Sequence, residues 1–214
     1  MVAAAETTLQ GLLEGAKQYQ VPLYQRTYSW GRAQFERLWG DVRKLAEDRV
    51  GNPAATHFIG SLVLAPSPAN GPSGVAEYLV VDGQQRLTTL TILLCAIRDH
   101  RAKHEDPKHL DRLNQQYLTN PWQQEPRWLK LVPTQADREA YRACVESTPQ
   151  PGEDAVGAAY QYFLSQLGAA DGPDDPYDIE RIEQAVITGL ALVSVTAQTG
   201  DNVYRIFESL NIDP

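Results

Sequence analysis

Residues 78–94 read YLVVDGQQRLTTLTILL, and this stretch decides the fold. The apolar run 78–81 predicts a buried strand, because it is short and is bounded by Asp-Gly, a typical turn signal. The apolar residues after Arg86 lie on more than one helical face, which predicts a buried central helix over 84–100. A strand that leads directly into a helix indicates a mixed α/β fold with a candidate site at the junction.

The junction itself is predicted to bind a nucleotide phosphate. The first four backbone N–H groups of a helix have no intrahelical partner, and the helix dipole adds about half a positive charge there. Gly83 has no side chain to block close approach, and Arg86 supplies a full charge. Asp82 would repel phosphate unless a cation lay between them, so its presence predicts Mg²⁺.

Three neighbouring side chains, Gln84, Gln85 and Thr88, offer amides and a hydroxyl for phosphate, sugar or an attacking water. An alternative interpretation needs no ligand. Asp82 could cap the helix, Arg86 could form an ion pair at i, i+4 spacing, and the glutamines could face water. The chain has no Walker A pattern, so this motif by itself leaves both interpretations open.

A second cluster of recognition chemistry occupies residues 24–30, YQRTYSW, directly after a predicted strand over 19–23. Gln25 and Arg26 could grip phosphate while Tyr24 and Trp30 stack on a base. The alternative is that the aromatic side chains only fasten the following helix to the core. His57 and Gly60, farther along the chain, could also approach a ligand.

The rest of the pattern predicts a small mixed sheet packed against several helices. Strand-like runs lie at 19–23, 58–64, 78–81 and 190–195. Helical periodicity covers 9–17, 32–48, 107–118, 136–145, 155–167, 178–187 and 202–210. We therefore expect a nucleotide-binding core in 1–106, a mainly helical insertion in 107–178, and a return to the core in 179–214. The chain stops after Asn211-Ile212-Asp213-Pro214 without a closing element, so a fragment of a longer protein is expected.

Composition narrows the class of protein. The 214 residues are 43% apolar and 21% charged, which is typical of a globular domain. No stretch approaches the roughly 18 apolar residues of a membrane helix, so a cytoplasmic protein without membrane contact is expected. The net charge of −8 argues against broad DNA binding, which rests on many Lys and Arg contacts. Cys95 and Cys144 lack metal or redox spacing and are predicted to be buried and reduced.

Four blocks, VPLYQRTYSW, HFIGSLVL, YLVVDGQQRLTTLTILL and VYRIFESLN, together resemble the N-terminal domain of the GmrSD-type anti-phage restriction proteins. That domain is itself similar to the ParB/sulfiredoxin fold. The matches extend from Val21 to Asn211. The resemblance implies a nucleotide-hydrolysing module, with GTP or another NTP as substrate, usually fused to a C-terminal HNH-type nuclease that is absent here.

The resemblance also implies roles for individual residues. Gln25 and Arg26 match a first phosphate-contacting box, residues 82–86 match the second, and Asn211 matches an asparagine that closes the pocket. Thr88 and Gly83 would also contact the nucleotide. Asp82 would hold Mg²⁺ or orient water, and the two arginines would clamp phosphate charge during phosphoryl transfer. The catalytic set is then Asp82, Gln84, Gln85 and Arg86.

Within this family the chain looks most similar to the effectors of phosphorothioate-based defence. Sulfur is larger and less well hydrated than oxygen, so its sensor should combine aromatic surface with a cation. Tyr24, Gln25, Arg26 and Trp30 are predicted to form that sensor. The alternatives are a relative that acts on glucosylated DNA, a module that binds nucleotide or modified DNA without turnover, and a protein-interaction scaffold with a relic pocket.

Overall fold

The computed structural model describes residues 3–68, 74–148, 154–169 and 177–197. Within these ranges the chain forms one mixed six-stranded sheet with the strand order β1-β6-β3-β4-β2-β5. The strands are β1 Ala3–Thr8, β2 Lys17–Gln20, β3 His57–Pro66, β4 Ala76–Asp82, β5 Leu131–Val132 and β6 Leu190–Thr196. The pairs β1–β6 and β3–β4 are antiparallel, whereas β3–β6, β2–β4 and β2–β5 are parallel.

Helices supply the rest of the core. They are α1 Leu9–Leu13, α2 Arg32–Gly51, α3 Gln84–His104, α4 Lys108–Leu113, α5 Arg138–Val145, α6 Ala155–Leu167 and α7 Ile179–Gln184. One π-helical turn, Asn114–Leu118, follows α4, and another, Ala185–Gly189, follows α7. The central helix α3 packs against α4, α5, α6 and α7 and is buried over most of its length. None of the described helices is long and apolar enough to cross a bilayer.

The predicted fold class is therefore confirmed, and all four predicted strands are present with shifted ends. Two strands are missing from the sequence prediction. β1 exposes most of its residues and lacks an alternating pattern, and β5 is only two residues long. The predicted helix over 202–210 lies outside the described residues. Within 107–178, the described residues form α4, α5, α6 and also β5, which joins the sheet beside β2.

Buried charges fasten α3 to its neighbours. Arg98 is fully buried and donates to both carboxylate oxygens of Asp99 and to the backbone carbonyl oxygens of Cys144 and Val145. Tyr160 donates to the same Asp99 carboxylate at 2.8 Å. The buried N–H groups of this guanidinium therefore have hydrogen-bond acceptors inside the core. The role of Arg98 is structural, because it joins α3 to the end of α5.

The two cysteines behave as predicted. Cys95 and Cys144 are both buried and carry free thiols. Burial raises the pKa of the Cys95 thiol to about 12, so its nucleophilic thiolate form is scarce at neutral pH. Both side chains belong to the core.

Candidate functional site

The candidate site begins where β4 ends and α3 starts. Gly83 sits at this junction with φ of 88°, in the left-handed region that favours glycine. A Cβ atom here would lie 2.9 Å from the Leu62 side chain and 3.0 Å from the Ser61 carbonyl oxygen. The backbone and a side chain of β3 therefore occupy the space that a side chain at position 83 would need.

Residues 24–30, here called the aromatic loop, are fastened to the start of α3 by glutamine side chains. The Gln25 amide nitrogen donates to the Val81 carbonyl oxygen at 2.8 Å, and its oxygen accepts from Gln84 at 2.9 Å. The Gln85 oxygen accepts from the Ser29 backbone N–H at 2.8 Å. The two motifs that the sequence separates by more than fifty residues thus form one hydrogen-bonded unit.

The middle of the aromatic loop is held equally firmly. The Gln85 amide nitrogen donates to the Thr27 carbonyl oxygen at 3.0 Å, so both ends of this amide are occupied. The Tyr28 hydroxyl lies 2.7 Å from the Thr89 hydroxyl, and the Tyr28 backbone N–H donates to Asp137 at 2.8 Å. Loop and helix therefore form a preorganised pair.

Arg86 extends from the first turn of α3 across β3. Its Nη1 donates to the Ser61 carbonyl oxygen at 2.7 Å, and its guanidinium covers Gly60, whose φ is 115°. A Cβ atom at Gly60 would lie only 2.7 Å from Arg86 Nη2. The glycine therefore makes room for the guanidinium, at the point where the register between β3 and β6 shifts.

The charge of Arg86 is only partly compensated. Burial lowers the pKa of its guanidinium, and the negative charge of Asp82 partly offsets that effect. Among the described residues, no carboxylate forms an ion pair with Arg86, and the N-cap of α3 is Gly83 rather than Asp82. The ligand-free interpretation of these two residues therefore lacks the contacts that it requires.

Arg86 opens into a cavity of about 390 Å³, here called the Arg86 cavity. It is lined by Trp30, Gln34, Arg37, Leu38, Asp41, His57, Phe58, Ile59, Gly60 and Arg86. His57 Nε2 lies 3.5 Å from an Asp41 carboxylate oxygen. The cavity thus contains two guanidinium groups, one carboxylate and the aromatic rings of Trp30 and Phe58. Its lining includes residues from three of the four sequence blocks quoted above.

The other predicted site residues occupy different environments. Tyr24 is 67% exposed, and Arg26 is also exposed on the aromatic loop. Thr88 is buried inside α3. Asn211 lies outside the described residues. The structure thus brings Arg86 and Trp30 together in the cavity and leaves Tyr24 and Arg26 at the surface. Gln25 is bonded to Gln84, and Gln85 is bonded to the backbone of the aromatic loop.

Among the cavity residues that the sequence analysis did not single out, two are charged, Arg37 and Asp41. Both lie on α2, one helical turn apart, and therefore share a face of that helix. Their i, i+4 spacing was available as a signal. This spacing does not by itself indicate a binding site, because pairs of opposite charge are common on solvated helix faces.

Asp82 is the carboxylate predicted to hold a metal ion. Among the described residues, no group of three or more His, Cys, Asp or Glu side chains could hold a metal. Asp82 is a single half-buried carboxylate at the end of β4. Mg²⁺ is often bound by one or two carboxylates together with substrate phosphates. Asp82 fits that arrangement if phosphate oxygens complete the shell.

Comparison with known proteins agrees with the four sequence blocks. A family model described as GmrSD restriction endonuclease, N-terminal domain, matches residues 9–213. No curated protein matches the chain. The family match covers nearly the whole chain, including every described element except β1.

Proposed function

Since the chain belongs to the family of GmrSD restriction endonuclease N-terminal domains, we propose that it is the nucleotide-hydrolysing sensor module of a restriction effector. GTP is its proposed substrate, and a nuclease domain of the same protein is its proposed output. The observation that supports this best is the Arg86 cavity, where an arginine that forms no ion pair with any described carboxylate meets aromatic surface.

The Arg86 end of the cavity suits phosphate. A triphosphate there would meet the guanidinium of Arg86, whose planar fork suits phosphate oxygens. Negative charge that develops on the transferred phosphoryl group would be stabilised by Arg86 more strongly than in water, because the guanidinium is half-buried. Asp82 would hold Mg²⁺ jointly with the phosphates, and the ion would neutralise part of their charge.

The wall of the cavity that α2 contributes suits a guanine base. Guanine presents two adjacent donors, N1–H and the N2 amino group, which one carboxylate such as Asp41 can accept together. Arg37, one turn away on α2, can donate to the carbonyl and ring-nitrogen acceptors. Adenine and cytosine would place a ring-nitrogen acceptor against the carboxylate, which repels it. Uracil has a single ring donor between two carbonyl groups, and these carbonyls would also be repelled by the carboxylate. Trp30 and Phe58 supply stacking surface.

The base preference can be inverted by one substitution. Asp41→Asn is expected to lower kcat/KM for GTP about 10- to 100-fold, because hydrogen bonds to a charged group contribute about 1.5–3 kcal/mol. It should raise kcat/KM for XTP, since the asparagine amide donates to the extra carbonyl of xanthine. The measurement is phosphate release from both nucleotides. Asp48→Asn, on the exposed side of α2, is the control. An unchanged base preference would remove Asp41 from base recognition.

The exposed tip of the aromatic loop suits the sensing of modified DNA. Leu23 and Tyr24 are 84% and 67% exposed, and Arg26 beside them is exposed as well. Apolar surface next to a cation matches a phosphorothioate, whose sulfur is poorly hydrated but whose group keeps its negative charge. The Gln25 hydrogen bonds to Val81 and Gln84 connect this tip to the start of α3. The tip is therefore joined by hydrogen bonds to the helix turn that carries Arg86.

DNA stimulation tests this proposal. Phosphate release from GTP with Mg²⁺ is expected to rise severalfold with phosphorothioate duplex and to stay near its basal rate with an unmodified duplex of the same sequence. Tyr24→Ala should reduce the stimulation, because it removes the aromatic part of the sensor's apolar surface and leaves only Leu23. The assay is run at several salt concentrations, since contacts to phosphate alone weaken steeply with salt. Equal stimulation by both duplexes would contradict a sulfur sensor.

A second candidate function is a nucleotide-binding switch without turnover. The occupied amide of Gln85 favours it, because its oxygen and its nitrogen are both bonded to the aromatic loop and cannot orient an attacking water. Under this alternative Asp82→Ala chiefly changes nucleotide affinity, whereas in the enzyme it abolishes phosphate release. Thermal unfolding with GTP measures the affinity change independently of hydrolysis.

A further inference from the structure

A second cavity lies beside the end of α1. It measures about 410 Å³ and is here called the Trp122 cavity. Its lining comes from Glu14–Ala16, from Gln115 and Gln116 in the π-helical turn, from residues 120–123 and from Lys130. None of these residues belongs to the site described above.

Trp122 stands at the rim of this cavity with 93% of its surface exposed. Tryptophan carries the largest apolar surface of any side chain, and the other three tryptophans of the chain are buried or half-buried. A free indole face next to a cavity is a stacking platform for a flat ring.

Lys130 is 2% exposed and forms no ion pair with a carboxylate among the described residues, where Glu14 is the only carboxylate whose charge acts on its ammonium group. Its ammonium group donates to the backbone carbonyl oxygens of Leu13 and Gly15, which uses two of its three N–H groups. Desolvation, with a smaller contribution from the charge of Lys17, lowers the pKa of Lys130 to about 8. The ammonium group therefore keeps one donor for an acceptor from outside the described chain.

Asn120 contributes the complementary group. It is 3% exposed, and its amide nitrogen donates to the carbonyl oxygens of Lys17 and Arg127 at 3.0 and 2.9 Å. These two bonds fix the orientation of the amide. Its oxygen is buried without a hydrogen-bond partner among the described residues, and an unsatisfied buried acceptor of this kind is rare in native proteins.

We propose that the Trp122 cavity binds a nucleobase, stacked on Trp122 and hydrogen-bonded by its edge to Asn120 and Lys130. Every nucleobase carries a donor next to an acceptor on its edge, which matches the unpaired amide oxygen and the remaining ammonium donor. The amides of Gln115, Gln116 and Gln123 supply further adaptable contacts around the ring. Glu14 at the same cavity disfavours ligands that bind only through phosphate.

A base in this cavity can come from single-stranded DNA or from a free nucleoside, and both sources present the same ring. For the strand, an affinity that depends on stacking rather than on phosphate agrees with the net charge of −8. The site is independent of nucleotide hydrolysis, because it shares no lining residue with the Arg86 cavity.

The test is a titration of intrinsic tryptophan fluorescence with thymidine, with a (dT)₁₀ strand and with an abasic strand of the same length. Thymidine and (dT)₁₀ are expected to quench the emission, and the abasic strand is not. Trp122→Ala should weaken (dT)₁₀ binding about tenfold or more, as measured by anisotropy of the labelled strand. Trp122→Phe should restore part of the affinity, because phenylalanine retains a stacking face.

The substitution at Trp122 leaves the fold undisturbed, because its side chain packs against almost nothing. Quenching by thymidine without (dT)₁₀ binding would support a site for free nucleosides. Equal binding of the abasic strand, or wild-type affinity in Trp122→Ala, would overturn the proposal, as would the absence of any response to thymidine and (dT)₁₀.

Discussion

Replacement of Arg86 by alanine is expected to lower the rate of GTP hydrolysis about 10²- to 10³-fold, which is the usual effect of removing one preorganised donor from developing charge. Arg86 is the guanidinium at the start of α3 that reaches the cavity, and no described carboxylate neutralises it. The measurement is single-turnover phosphate release with saturating nucleotide, which separates the chemical step from binding.

Two further variants make this result specific. Arg32→Ala removes the same charge from an exposed side chain whose ion pair is with Glu36 on the protein surface, so hydrolysis should remain near the wild-type rate. Arg86→Lys keeps the charge but loses the planar fork, and an intermediate rate is expected. Wild-type turnover in Arg86→Ala would contradict the assignment of the phosphate to this cavity.

Replacement of Glu183 by alanine is expected to destabilise the protein by about 1.5–3 kcal/mol, because it removes a buried carboxylate that accepts from two arginines, of which Arg101 keeps its ion pair with Glu105. Glu183 is 1% exposed and accepts from Arg101 at 2.8 Å and from Arg112. These contacts join α7 to α3 and α4. The free energy of unfolding is measured by urea denaturation at neutral pH, with the m-value compared between variants.

A surface pair provides the control for this second prediction. Glu146 forms an ion pair with Arg142 in which both side chains are 43% exposed. Glu146→Ala should change the free energy of unfolding by less than about 1 kcal/mol, as is usual for exposed ion pairs. A loss below 1 kcal/mol in Glu183→Ala would show that the buried cluster is solvated or that its arginines find other partners.

Both predictions concern α3, which has one end in the candidate site and the other in the buried ionic cluster. Helices α4 to α7 surround the helix, and its first turn carries Arg86. A helix held along its length keeps its N-terminus in one place. This rigidity is what an electrostatic site requires, because a charge stabilises a reacting group only when it is already in position.

The sequence by itself determined the strand–turn–helix unit at residues 78–94, because its signals are local. An apolar run, a glycine that tolerates positive φ and a buried helical pattern are each encoded by consecutive residues. The order of the four blocks was likewise sufficient to indicate the family that the match over residues 9–213 shows. The mixed α/β class followed from these elements, whereas β1 and β5 carried too little pattern to be predicted.

Only the tertiary structure decided which side chains meet. The bonds of Gln25 with Gln84 and of Gln85 with Ser29 join residues more than fifty positions apart. The place of Arg86 over Gly60 depends on the register shift between β3 and β6. Such contacts depend on strand order and register, which arise from burying all the apolar faces together. No short segment of the sequence encodes them, and so Asp41 entered the site only when α2 was packed beside β3.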